Sequence, residues 1–263
     1  MCGRFVIAGN KADLIDAFEV DETVEDEVQP SWNVAPTDTV QLVVERLDAE
    51  TGELTRWLEP ARWGLIPSWA KTASVGSRMI NARSETVLEK PSFRTAALKR
   101  RAIVPADGYY EWRKNDDGTK TPLYLHGPGG SHLGFAGLYE FWRDPATASE
   151  EHPRGSWVVS CTIITRPASD ALGEIHDRTP VIVPPELRGD WLDPRNDSRP
   201  VVQELLDAIP DPHLVPRLVG DRVGSVRNNG PDLIEPLPRD VTDDVTADVT
   251  DDVTADAERQ TLA

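Results

Sequence analysis

From Thr39 to Val183 the chain repeats one pattern. A short run rich in Val, Ile, Leu, Tyr, Trp and Thr is closed off within about a dozen residues by Gly, Pro, Asp or Asn. Such runs are too short for long helices and too closely punctuated for a parallel α/β sheet. The spacing predicts strands at 3–8, 39–46, 53–63, 101–105, 109–114, 122–126, 133–141, 156–165 and 180–183. Asp48-Ala49-Glu50-Thr51-Gly52 and Asp116-Asp117-Gly118 read as hairpin turns. Helical patterns are few and short. One is capped by Asn10 with Leu14, Ala17 and Phe18 on a face, and one starts at Ser84. Others cover about 92–99, 168–174, 185–192 and 199–208. The class that fits is α+β: a single domain over residues 1–237, with a curved, barrel-like, mostly antiparallel sheet and short peripheral helices.

Charge divides the chain unevenly. The net charge is −17 over 263 residues, yet residues 240–263 alone carry −7, leaving −10 for the rest. That stretch runs through Val-Thr-Asp-Asp-Val-Thr-Ala-Asp about twice and holds no aromatic residue. Its apolar surface is too small to offset the entropy of ordering, so residues 238–263 read as a disordered acidic tail. Only six of the 28 basic residues are Lys. Low Lys with excess Asp suits a very salty cytoplasm, where screening suppresses self-repulsion, so a halophilic origin is expected. Residues 71–120 deviate the other way, with 11 basic against 6 acidic side chains. A basic island in an acidic protein, with Arg78, Arg83, Arg94, Lys99, Arg100, Arg101, Arg113 and Lys114, suggests an anionic partner.

No apolar run is long enough to span a bilayer, and the start has no signal-peptide core. Two cysteines, Cys2 and Cys161, fit free thiols in a reducing compartment. The expectation is a cytoplasmic monomer with no membrane contact. No Cys/His cluster has metal spacing and no glycine loop fits a phosphate, so neither metal nor cofactor is expected. Cys161, in an apolar strand, reads as core.

Cys2 is different. A small second residue allows Met1 to be removed, leaving an α-amine and a thiol on adjacent carbons, with ordinary pKa values near ~8 and ~8.5. Together they can close a five-membered ring on one aldehyde carbon. Five further segments stand out. They are Trp32-Asn33-Val34-Ala35-Pro36-Thr37; Trp63-Gly64-Leu65-Ile66-Pro67-Ser68-Trp69 with Asn81-Ala82-Arg83-Ser84-Glu85-Thr86; Val104 to Trp112; Ile175-His176-Asp177-Arg178-Thr179-Pro180; and Asn228 to Ile234. With Met1-Cys2-Gly3-Arg4-Phe5 they resemble the SRAP family (SOS response-associated peptidase) from Cys2 to about Pro236.

The resemblance implies a protein that crosslinks itself to abasic sites in single-stranded DNA, shielding the lesion, that is nucleoid-associated when bound to DNA, and that carries an associated strand-cleaving lyase activity. The Cys2 amine would form a Schiff base with the open sugar's aldehyde, and the thiol would close a thiazolidine. Glu111, between Tyr110 and Trp112, would shuttle protons, an apolar setting raising its pKa. His176 would assist sugar opening and crosslink reversal, and Asn33 would orient the amine. Arg4, Arg83 and Arg178, with Asn81 beside them, would hold phosphates. Pro36, Trp63 and Trp69 would stack or wedge against bases. Three departures from the family pattern are Thr179 in place of an apolar residue, the acidic surface and the acidic tail. In high salt, stacking and the covalent bond are expected to retain DNA more than the Arg contacts do. The competing readings are an autoprocessing cysteine peptidase that removes Met1, a class II glutamine amidotransferase, and a non-catalytic single-strand binding module.

Overall fold

The computed structural model describes residues 2–25, 28–149, 152–169 and 175–237. Its centre is a ring of strands. β4 (Thr39–Leu47) and β5 (Leu54–Trp63) form a hairpin in continuous register from Thr39↔Arg62 to Leu47↔Leu54. β4 pairs with β7 (Arg101–Ala106), β7 with β10 (Leu133–Asp144), and β10 with β11 (Ser156–Pro167). A parallel pairing, Ser160↔Arg62 and Cys161↔Trp63, closes β11 back onto β5. Five strands thus make a closed barrel, which removes the reactive sheet edges. β2 (Glu22–Thr23), β6 (Asn81–Arg83) and β12 (Arg178–Pro180) attach to β5, β11 and β11.

A second, open sheet lies against the barrel in the order β13 (Val215–Leu218), β9 (Lys120–His126), β8 (Gly108–Lys114), β1 (Phe5–Ile7), β3 (Ser31–Val34). β7 and β8 look like hairpin arms in sequence, but they belong to different sheets. The chain changes sheet at Asp107, whose carboxylate accepts from Ala8 N (2.6 Å) and Gly9 N (3.3 Å) and contacts His132 Nδ1 (2.7 Å). Gly108 allows the crossing, because a Cβ there would sit 2.5 Å from Leu125 O.

Among the described residues, α1 (Lys11–Phe18), α2 (Arg94–Lys99), α3 (Arg188–Leu192) and α4 (Arg199–Ala208) pack outside. Asn10 caps α1 by accepting from Asp13 N at 3.0 Å, and Leu14 and Phe18 face the core. The helix expected from Ser84 is instead a series of turns leading to α2. The one expected over 185–192 divides into a 3-10 turn, Pro185–Leu187, and then α3. Most of the helix expected over 168–174, and the acidic tail, lie outside the described residues.

β1 is only three residues, yet all three are buried. Phe5 meets Trp63 edge-on at 5.0 Å and Phe135 at 5.9 Å. Burying such a side chain stabilises the fold by about 1.5–3 kcal/mol, with each aromatic pair adding about 0.5–1.5. Phe5 therefore anchors the chain start where the barrel meets the open sheet.

Candidate active site

Cys2 lies three residues before that anchor and is fully buried. Its carbonyl accepts a 2.8 Å hydrogen bond from Asn81 Nδ2 at the start of β6. β1 pairs with β8 as Phe5↔Tyr109 and Val6↔Gly108, so the same register carried back two residues sets Gly3 opposite Glu111. Glu111 is buried at 3 % exposure. Burial raises its carboxyl pKa to about 7, Asp177 adds to the rise, and the Trp112 backbone N–H opposes it. Burial also pushes the Cys2 thiol well above its ordinary value. The Glu111 charge raises it further, while a backbone hydrogen bond with Arg4 works the other way. At neutral pH the Cys2 thiol thus keeps its proton beside a carboxyl group close to half-protonation.

His176 is half-buried, just before β12. Burial is the first cause holding its pKa below the ordinary value, and Lys120 and Arg178 add to the effect. Its Nδ1 accepts the Arg178 backbone N–H at 3.1 Å, with Asp177 Oδ1 2.8 Å away. Across the Cys2 region, Asp177 lies near enough to raise Glu111. Cys2, Asn81, Glu111 and His176 thus gather from the chain start, β6, β8 and the approach to β12.

Next to Cys2 runs a groove of about 630 Å³, lined by Gly3, Arg4, Pro36, Thr37, Trp112 and Val226, among others. Arg4 donates to Asn33 Oδ1 (2.7 Å) and Val223 O (2.9 Å). These hydrogen-bond partners are neutral, and the Asp38 carboxylate on the same groove supports the guanidinium charge, so Arg4 offers a cation to the groove. Asn33 Nδ2 donates to Ser225 O (3.0 Å) and Asn228 O (2.8 Å). The Asn33 amide ties the 223–228 segment to β3, and the hydrogen bond to the Cys2 backbone comes from Asn81 instead. Pro36 sits on the groove wall. Thr37 beside it adopts φ +82°, a left-handed conformation that β-branched residues rarely take, held by Thr37 N donating to Trp63 O at 2.8 Å.

Two expectations need correction. Trp63 is fully buried against Phe5, its Nε1 donating to Ile80 O at 3.0 Å, so no face remains for a base. The exposed aromatic of that segment is Trp69, at 63 %. Arg178 is bound at both ends of its guanidinium by Glu85 (2.5 and 2.9 Å) and donates to Thr165 O (2.6 Å). That pairing holds Glu85 at about 2 and makes Arg178 a brace between β12 and the β6 loop. Arg83 is exposed, and no ion pair among the described residues neutralises it. The basic island also divides: Arg100 pairs with Glu140, Lys99 with Asp197, and Arg101 is buried on backbone carbonyls such as Trp191 O. Trp112, half-buried on the groove wall, was missed as a site residue. Strand alternation places it with Tyr110, on the opposite face of β8 from Glu111, which was the available signal.

No group of His, Cys, Asp or Glu among the described residues could hold a metal ion, and no described helix is long and apolar enough to cross a membrane.

Residues 1–226 match the family model for SOS response associated peptidase (SRAP). The chain belongs to the SRAP family. Among its SRAP relatives, the abasic site processing protein YoqW of Bacillus subtilis is 39% identical over 236 residues, which is 89% of this chain and 99% of that one. YedK of Escherichia coli, also called an abasic site processing protein, is 29% identical over 242 residues, 90% and 100% of the two chains. A crystal structure of a Bacteroides thetaiotaomicron protein superposes with a TM-score of 0.72 at 22% identity, covering 90% of this chain and all of the other. That likeness concerns the SRAP fold alone.

Proposed function

We propose that this protein processes abasic sites in single-stranded DNA by forming a thiazolidine between Cys2 and the lesion's aldehyde. One observation carries the reading. A buried Cys2, next to the chain start, shares its pocket with a carboxyl whose pKa is about 7. The α-amine becomes available once Met1 is removed. It adds to the aldehyde carbon, and the carbinolamine loses water to give an imine. Glu111 in its acid form protonates the departing hydroxyl. The imine leaves this step protonated; the Glu111 carboxylate then takes the Cys2 thiol proton as sulfur bonds to the imine carbon, and the C=N electron pair returns to the nitrogen, which keeps the hydrogen it already carries. Ring closure leaves no net charge. A carboxyl near pKa 7 serves both steps at neutral pH. His176, whose burial holds its pKa below the ordinary value, is assigned the proton transfer at the sugar oxygen during ring opening.

Relatives named as abasic site processing proteins support the substrate class. The groove beside Cys2, with the Arg4 cation, Pro36 and Trp112, supports a strand carrying phosphates and bases. The lyase activity belongs to the same proposal, since it passes through the same imine. The family's description as a peptidase supports a second reading, removal of Met1 by the protein itself.

The test is a denaturing gel. Protein shown by mass spectrometry to begin at Cys2 is mixed in molar KCl with single-stranded DNA bearing one abasic site. A band resisting SDS and heat, absent with Cys2→Ala and with intact DNA, is the expected result. No such band from folded protein overturns the proposal. If Met1 is removed from wild type but retained in Glu111→Gln, self-processing is supported.

A further inference from the structure

His176 Nδ1 has two neighbours that make opposite demands on it. The Arg178 backbone N–H, 3.1 Å away, needs a lone pair there. Asp177 Oδ1, 2.8 Å away, needs a proton there. One nitrogen cannot meet both demands in one protonation state. The neutral ring with its hydrogen on Nε2 satisfies Arg178. The doubly protonated ring satisfies Asp177.

We infer that Asp177 is a positioning residue for His176: its carboxylate receives the proton that Nδ1 takes up, in exchange for the Arg178 N–H that Nδ1 accepts when the ring is neutral. The proton comes from water and returns to it, and no bond other than N–H changes. Asp177 suits this exchange because its side chain is 84 % exposed, in reach of solvent, while the ring is half-buried. Nδ1 is engaged by its own loop in both states.

The charged groups around the ring set the sign. Lys120 of β9, Arg178 of β12 and the chain's amino terminus disfavour the imidazolium, as burial does, whereas Asp177 favours it. Glu111 of β8 is the remaining acid in the cluster, and it too feels Asp177. Removing the Asp177 charge must therefore lower the pH at which His176 titrates. Because the carboxylate is exposed, the effect is screened and small, about half a pH unit at low salt and less in molar KCl.

This inference rests on the proposed role of His176 for its catalytic meaning, but its first readout does not. Nitrogen-15 shifts of the imidazole are followed against pH in the full-length protein and in Asp177→Asn and Asp177→Glu, with His176→Gln used only to assign the resonance. In wild type, Nδ1 should titrate as the nitrogen gaining the proton. The midpoint should fall by about half a unit in Asp177→Asn and return in Asp177→Glu. An unchanged midpoint in Asp177→Asn, or protonation that leaves Nδ1 bare, overturns the inference. The second readout is the pH profile of crosslink formation, whose His176-dependent limb should move to lower pH by the same amount. A limb that stays fixed while the midpoint moves overturns the catalytic part. A wild-type protein that forms no crosslink while the midpoint still moves refutes the proposed function and leaves the Asp177–His176 exchange standing.

Discussion

The barrel interior and the seam between the two sheets each bury one cysteine completely, and the two sites differ in everything else. Cys161 lies in β11, opposite Trp63 and Tyr139, and burial is the whole reason its thiol is pushed far up. Cys2 lies at the seam, where burial is joined by the Glu111 charge and a hydrogen bond with the Arg4 backbone. Its carbonyl is fixed by Asn81. Burial alone makes a thiol inert. Reactivity at the seam comes from its neighbours and from an α-amine that no internal cysteine possesses. The barrel supplies rigidity, and the seam supplies polar groups that a closed barrel interior would not tolerate unpartnered.

Exchanging the two cysteines' fates is the most severe test of this contrast. Cys2→Ala should abolish the crosslink, by at least ~10³-fold, whereas Cys161→Ala should leave its rate within about twofold. Chemical denaturation should not separate the two, each losing about 1 kcal/mol through a small cavity, because both thiols are fully buried. A crosslink that requires Cys161 would end the distinction.

A smaller effect is expected at Glu111. Glu111→Gln should slow crosslinking by about 10²–10³-fold at pH 7, measured in single-turnover gels. It should also reveal how the seam is strained. A carboxyl whose folded pKa of about 7 exceeds its unfolded value of 4.5 contributes stability that is complete below the unfolded value and lost as pH rises through 7. Glu111→Gln should therefore be more stable than wild type at pH 8, by about 1–3 kcal/mol, with the gap shrinking towards pH 4. An equal gap at both pH values would mean that the amide changes packing rather than charge.

The smallest expected effect is at Asn81. Losing its hydrogen bond to the Cys2 carbonyl should cost about 1 kcal/mol of positioning, a five- to tenfold drop in crosslink rate with the fold unchanged. Asn33→Ala should instead loosen the 223–228 segment, seen as faster amide exchange there. If Asn33→Ala slowed chemistry more than Asn81→Ala, the division of labour between the two amides would be inverted.

Much of this was legible in the sequence because it is local. Alternation and turn residues located the strands, Asn10 marked the start of α1, and Tyr-Glu-Trp placed a carboxyl in an apolar strand. The motifs around Cys2, Asn81, Glu111 and His176 identified the family that the comparisons show. Trp63 and Trp69 differ little in local sequence, yet one fills the junction with Phe5 and the other faces solvent. That choice depends on whether β5 or the loop after it carries the residue, and on what packs from β1. Arg178 and Arg83 likewise look equivalent until Glu85, 93 residues from Arg178, neutralises one of them. Run-based charge counting failed for the same reason, since Arg100, Arg101 and Lys99 turn to partners on β10 and in the 191–197 stretch.

The sequence by itself determined that this is an α+β protein of short strands with a cysteine directly after Met1, because periodicity, turn chemistry and motif residues act over a few positions. Only the tertiary structure decided that β7 and β8 part company at Asp107, that Asn81 rather than Asn33 holds Cys2, and that Asp177 and Arg178 contend for one nitrogen of His176. Those outcomes turn on a few ångströms between groups brought together by barrel closure. Hydrogen bonds and desolvation change by kilocalories over such distances, while the local sequence stays the same.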